Sequence, residues 1–193
     1  MSCGKVPGFS MQTGVGGLER LQITVMGRRP IQDSDRLAIA EFIERHWHSK
    51  MVASHGEVFY PHQCDGFIEW RDNQIVGLLT FRRHEDSLEL LTLNSTLEGQ
   101  GIGSALMLMA IEQARETGLS NVWLTATNDN LRAIGFYQRL GFRMVAIIAG
   151  AVDEARKIKP QIPEVGHNGI PIHDEIVLKL RIKPSLDVQS GDA

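Results

Sequence analysis

The residues with the clearest chemistry in this 193-residue chain lie between 88 and 104, which read Leu-Glu-Leu-Leu-Thr-Leu-Asn-Ser-Thr-Leu-Glu-Gly-Gln-Gly-Ile-Gly-Ser. An apolar strand passes through a polar link into a glycine-rich turn, and the turn opens a long apolar helix. Such a turn aims several unpaired backbone N–H groups at one spot, at the positive end of the helix dipole, and glycine lets the backbone come close to a ligand. The chemistry is anion binding, best suited to a phosphate-bearing cofactor. A Walker-type loop would need a lysine after its last glycine, whereas Gly103 is followed by Ser104 and Ala105. A dinucleotide fingerprint belongs to the first strand–helix unit of a parallel sheet, and the strands preceding this turn read as an antiparallel meander.

The elements that must hold the turn can be read from apolar periodicity. Residues 21–26 alternate as a half-buried strand, and 33–48 form a helix with Leu37, Ala40, Ile43 and Trp47 toward the core. His46 and His48, two apart on that helix, make a poor metal pair. Residues 49–64 form a long loop. Strands at 67–70 and 75–82 are joined by Arg71-Asp72-Asn73-Gln74 as a hairpin, and a short turn at 83–87 leads into the strand of the glycine motif. A helix over 101–117 is stopped by Gly118, and 122–126 is a buried strand parallel to the one before the helix. Asn128, Asp129 and Asn130 cap a helix carrying Ala133, Phe136, Tyr137 and Leu140 on one face, and Gly135 within it suggests close packing. A strand at 142–150, a short helix at 151–159, a structured loop at 161–173 and a strand at 175–182 complete the chain.

Composition places this chain among ordinary globular proteins, with 42% apolar and 22% charged residues and a net charge of −3. That charge gives no general attraction to nucleic acid. Cys3 and Cys64 cannot make a disulfide framework, no Cys/His cluster suggests a metal, and no apolar run approaches the ~18 residues of a membrane span. The expectation is a cytoplasmic protein with free thiols. Residues 1–20 read as a flexible leader, 21–183 as one domain and 184–193 as a solvated tail.

The glycine turn at Glu98-Gly99-Gln100-Gly101-Ile102-Gly103 resembles the acyl-CoA motif of the GCN5-related N-acetyltransferase (GNAT) superfamily, Gln/Arg-x-x-Gly-x-Gly/Ala. A second block, Asn130 followed by Tyr137 and then Gly141-Phe142, resembles the helix-and-strand signature of the same family, one helix and one strand further on. The resemblance implies an α/β (α+β) fold: a mixed, mostly antiparallel sheet with helices on both faces and a splayed parallel strand pair forming an acyl-CoA cleft. It implies acetyl-CoA as cosubstrate, with the backbone of Gly99, Gln100, Gly101, Ile102, Gly103 and Ser104 holding the pyrophosphate. Main-chain groups of Leu91, Thr92 and Leu93 would pair with the pantetheine arm and thioester, and Asn130 would contact the cofactor. Tyr137 would protonate the departing thiolate, as a tyrosine near pKa 10 can at neutral pH.

Two positions depart from the family pattern. Glu98 stands where Gln or Arg is usual, and its side chain is expected to turn away from the phosphates, leaving binding to the amides. Some family members carry a glutamate on the strand before the Asn/Tyr helix, and the aligned residue here is Thr125. Glu89, on the strand of the glycine motif, is then the candidate base for a protonated amine, directly or through water.

The function implied is acetyl transfer to an amine, of a small molecule or a protein, by direct attack in a ternary complex. The alternatives are a non-catalytic acyl-CoA sensor and transfer of a longer acyl group. Acceptor specificity is expected from the segment before His62 and from 151–173. There the acids Asp153, Glu154 and Glu164 are offset by Arg156, Lys157 and Lys159. No metal, nucleic acid or membrane partner is expected. A homodimer is an expectation carried by the resemblance alone.

Overall fold

The computed structural model describes residues 27–54 and 56–183. The leader 1–20, the strand expected at 21–26 and the tail 184–193 lie outside the described residues. The chain lays down β1 (Gly27–Pro30), a 3-10 turn (Asp33–Asp35), α1 (Arg36–Trp47), β2 (Val52–Ser54), β3 (Glu57–Phe59) and a second 3-10 turn (Pro61–Gln63). It continues through β4 (Asp65–Arg71), β5 (Gln74–Arg83), β6 (Ser87–Ser95), α2 (Ile102–Glu116), β7 (Asn121–Thr127) and α3 (Leu131–Arg139). Then come β8 (Arg143–Ile148), α4 (Ala151–Ile158), a 3-10 turn (His167–Gly169) and β9 (Glu175–Arg181).

Among the described residues seven strands form one sheet in the order β1-β4-β5-β6-β7-β9-β8, and of its neighbours only β6 and β7 run parallel. The β4–β5 turn is tight because Asp72 and Asn73 both take positive φ, 48° and 58°, which matches the twist of the strands they join. The segment 49–64 is not the plain loop expected. It holds the separate β2–β3 hairpin, whose three-residue strands are too short for alternation to show.

Each face of the sheet buries its own apolar cluster. On one face Ile39, Phe42 and Ile43 of α1 pack against Ile68, Ile75 and Leu78. Leu37, expected in that core, is 82% exposed. Two residues are about 200° of helix rotation, so a face centred on Ile39 and Ile43 turns Leu37 outward. On the other face Ile102, Leu106, Met107, Ala110 and Ala114 of α2 pack against Leu79, Leu88, Val122 and Leu124. Each large side chain buried there stabilises the layer by about 1.5–3 kcal/mol. Gly77 of β5 lets α2 settle: a Cβ on it would stand 2.4 Å from Ile102 Cγ2. That approach fixes where the first turn of α2, and so the glycine motif, sits over the sheet.

Gly135 does not mark close packing, as a Cβ there would meet only the Arg139 guanidinium at 3.4 Å. The loop 161–173 is ordered as expected: Val165 bridges Pro171, and the Arg156 guanidinium donates to the carbonyls of Ile162, Pro163 and Ile172.

Candidate active site

The site is made by the parting of β6 and β7. Ser87–Leu90 pair with Asn121–Leu124, and there the pairing stops, although β6 runs on to Ser95 and β7 to Thr127. On its other side β6 carries a bulge: Thr92 pairs with Thr80 and Leu90 with Phe81, which leaves Leu91 unmatched. A bulge bends its strand and increases the local twist, and this one lies where β6 leaves β7. The gap holds a cavity of about 340 Å³ lined by Leu91, Thr92, Leu93, Thr125, Tyr137 and Glu175, among others.

That cavity has two neighbours. Toward the glycine turn, Leu93, Asn130, Ala133 and Tyr137 are shared with a cavity of about 520 Å³ that Gly99, Gly101, Ile102, Gly103 and Ser104 also line. Toward α1 and α4, Trp47, Val52, Thr127 and Glu175 are shared with a chamber of about 630 Å³. Shared lining residues make the three contiguous, and Asn130 lines all of them. The segments before His62 and after Ala151 both line the chamber end, through Trp47 and Val52 and through Val152, Lys159 and Ile172.

At the glycine end, Gly99 and Gly101 have φ of +73° and +71°, and a Cβ on either would meet nothing within 4 Å. The requirement is therefore conformational, and the space above the turn is open. The first rung of α2 runs from the Ala105 amide to the Gly101 carbonyl, 2.9 Å. By helix geometry the amides of 102–104 precede the intrahelical ladder, and their residues line the cavity. Gln100 is different: its side chain accepts from the Arg71 guanidinium, and it does not line this cavity. Asn130 lines it, while its side-chain oxygen caps α3 by accepting from the Ala133 amide at 3.1 Å.

Glu98 does not turn away from this cavity. It lines the wall and accepts from Arg132 at 2.7 Å, and the guanidinium holds its carboxyl below the usual range. Arg132 and Arg139 line the same wall, so cations as well as amides face the space. Neither arginine stands out in the sequence, because both lie on the polar face of an amphipathic helix.

Tyr137 lies between the glycine end and the central cavity, with Phe136 and Phe142 ring centroids at 5.3 and 6.0 Å. Burial pushes its hydroxyl up to about 12, so it keeps its proton through the whole neutral range. The structure does not bring Glu89 to join it. Glu89 is 1% exposed, its carboxylate accepts from Arg82 at 3.0 Å and meets His84 Nε2 at 2.8 Å, and it lines none of the three compartments.

The carboxylate that does reach the central cavity is one that sequence reasoning missed. Glu175, 4% exposed, opens β9 opposite Thr127 of β7 and lines both the central cavity and the chamber. Its carboxylate accepts from Ser54 Oγ at 2.7 Å, and Ser54 Oγ lies 2.9 Å from Thr125 Oγ1. Alternation along β9 puts Glu175 in phase with Lys179 and Arg181. The β2–β3 hairpin carries Ser54 over this end of the sheet and onto Glu175.

The open glycine turn, the first-turn amides and the arginine wall suit a diphosphate. The unpaired strand edge at Leu91–Leu93 suits an extended amide-bearing arm. Among the described residues no group of three or more His, Cys, Asp or Glu is placed to hold a metal ion, and no helix is long and apolar enough to cross a membrane.

A mostly antiparallel sheet whose one parallel pair parts at its centre is the fold this chain shares with solved acetyltransferases. The acetyltransferase (GNAT) family pattern matches residues 32–142, and the chain belongs to that family. The chain is 40% identical over 141 residues to the uncharacterised Bacillus subtilis protein YxbD, covering 72% of this chain and 89% of YxbD. Its fold superposes on the IAA acetyltransferase of Bacillus cereus with a TM-score of 0.59 and 21% identity, over 80% of this chain and 98% of that one. A GNAT acetyltransferase from Elizabethkingia anophelis, solved with acetyl-CoA bound, gives 0.55 and 20%, over 80% and 97%.

Proposed function

We propose that this protein is an N-acetyltransferase, moving an acetyl group from acetyl-CoA to an amine by direct attack in a ternary complex. One observation carries the reading: the parting of β6 and β7 after Leu90 and Leu124 joins the glycine turn, the bulged edge of β6, Tyr137 and a separate chamber into one cleft. The pyrophosphate sits over residues 99–104, beside Arg132. The pantetheine arm lies along Leu91–Leu93, which sets the thioester in the central cavity. The amine enters from the chamber, its lone pair attacks the thioester carbon, a C–N bond forms and the C–S bond breaks. Tyr137 gives its proton to the departing thiolate.

Neither substrate need leave before the other arrives, because chamber and glycine end are separate compartments that each share walls with the central cavity. Incubation with acetyl-CoA and a broad panel of amines, scored by free thiol release, tests the proposal. Saturable, acceptor-dependent release is expected. Acetyl-CoA binding with no release on any amine would leave the protein a sensor, and faster turnover of a longer acyl-CoA would move the donor assignment.

A further inference from the structure

The charges of α4 and the loop after it look balanced along the sequence, and the fold separates them. Asp153 is bonded to Arg156 at 2.6 Å and to His173 at 3.1 Å, and Glu154 to Lys157 at 2.6 Å. Lys159 is turned inward, 6% exposed, on the chamber wall. Its ammonium donates to the carbonyls of Trp47 at 3.3 Å and Met51 at 3.2 Å and lies 6.0 Å from the centre of the Trp47 ring. An ammonium has three N–H donors, and the carbonyls use two. Among the described residues no carboxylate pairs with it, and burial pushes its pKa below the ordinary lysine value. Closing the carbonyl end of α1 explains part of this placement. A desolvated cation without a counter-ion is nonetheless costly, and an acidic group in the chamber would supply one.

The opposite charge lies elsewhere on the same wall. Glu175 and Asp129 both line the chamber, but Asp129 does not line the central cavity. Glu175 lines both. Ser54 has one hydroxyl proton and donates it to Glu175, so the Thr125 hydroxyl donates to Ser54. This short chain fixes the carboxylate at the passage an amine must cross to reach the thioester. Thr125 is where the resembled family sometimes carries a glutamate, and here Glu175 of the adjacent strand β9 is linked to Thr125 Oγ1 through Ser54 Oγ.

We propose that the chamber binds an amine that also carries an acidic group, an amino acid or a derivative of one, with its ammonium at Glu175 and its acid at Lys159. Glu175 accepts the ammonium proton and frees the nitrogen lone pair to form the C–N bond. As the C–S bond breaks, the thiolate takes the Tyr137 proton. The nitrogen's second proton restores Tyr137, and Glu175 releases the first to solvent, which balances one proton per turnover. This inference rests on the acetyltransferase reading and adds the acceptor class and the base.

The test compares matched acceptors that differ only in the acid: phenylalanine with phenethylamine, lysine with cadaverine, and 6-aminohexanoate with hexylamine. Thiol release is measured alongside calorimetric binding of acetyl-CoA. In at least one pair kcat/KM should favour the acid-bearing member by about 10-fold or more. Lys159→Gln should bring that ratio near one by raising KM for the acid-bearing member alone, and Lys159→Arg should keep most of it. Glu175→Gln should lower kcat for both members by about 100-fold with acetyl-CoA affinity unchanged. If that variant does not fold, Glu175→Asp should show a smaller loss in the same parameter.

Equal use of both members in every pair, equal loss on both in Lys159→Gln, or full kcat in Glu175→Gln would overturn the inference and leave acetyl transfer standing. No release on any acceptor also overturns it. If no amine of the broad panel is acetylated either, the acetyltransferase reading falls with it, leaving a sensor where acetyl-CoA still binds and no acyl-CoA site where it does not.

Discussion

Arg132, on the first turn of α3, donates to Glu98 at 2.7 Å, and this ion pair stands in the wall of the cavity above the glycine turn. It explains how a carboxylate is tolerated beside the proposed diphosphate site. Both side chains are exposed, 79% and 73%, so the pair is weak and easily exchanged. An arriving phosphate offers Arg132 a second anionic partner at low cost.

Arg132→Ala should therefore weaken acetyl-CoA binding by about 10-fold, because it removes a cation and leaves Glu98 facing the phosphates. Glu98→Gln should leave affinity unchanged or tighten it slightly, and the double variant should recover part of the loss. Calorimetric titration of the four proteins closes the double-mutant cycle. Independent, additive effects would show that the two side chains act on the cofactor separately.

Tyr137 gives a pH signature. Its hydroxyl is raised from 10.0 to about 12 by burial, so the folded protein binds this proton more tightly than the unfolded chain does. The stability this contributes is fully present below about pH 10 and is lost as pH rises toward about 12. With saturating substrates kcat should show no alkaline loss from this residue up to about pH 10.5, well below the folded value. Tyr137→Phe should lower kcat by about 100-fold and shift acetyl-CoA affinity by less than about threefold. An unchanged kcat in that variant would remove the acid role.

Part of the site was legible in the sequence because it is local. The glycine turn, the Asn130 cap and Tyr137 lie on consecutive elements whose spacing carries the signal, and the meander before them follows from short turns. Glu175, Ser54 and Lys159 were not legible, since each takes its environment from a distant segment. Ser54 and Glu175 are bonded across 121 positions, and Lys159 reaches Trp47 across 112. Net charge along 153–164 hid Lys159, because pairing of its neighbours with one another leaves it alone only in three dimensions. Leu37 failed for a simpler reason: apolar residues at 37, 39, 40, 42 and 43 fit more than one face of α1, and contact with β4 and β5 selects one.

Glu89 separates a catalytic from a structural carboxylate. It is held by Arg82 and His84 in a buried pocket of charge, and Arg82 also reaches Glu57 at 2.7 Å. Glu89→Gln should leave the Arg82 guanidinium undercompensated and cost about 1–3 kcal/mol, a buried-pair loss reduced by the partial exposure of Arg82. Thermal unfolding should register that loss, while kcat per folded molecule stays within about threefold. Turnover lost at full stability would return the base role to Glu89.

Gly135 offers a prediction of opposite sign. It lies inside α3, two residues before Tyr137, without the positive φ that would demand glycine, and a Cβ there would meet only the end of the exposed Arg139 side chain at 3.4 Å. A flexible guanidinium can shift by tenths of an ångström, so the substitution meets no fixed wall. Glycine costs a helix interior about 0.5–1 kcal/mol relative to alanine, largely through the freedom it gives the unfolded chain. Gly135→Ala should thus raise the unfolding midpoint by a few degrees, with acetyl-CoA affinity unchanged because Arg132 and Tyr137 keep their places on the helix. A lower midpoint would mean that this face of α3 is packed, in the free protein or against a partner in solution.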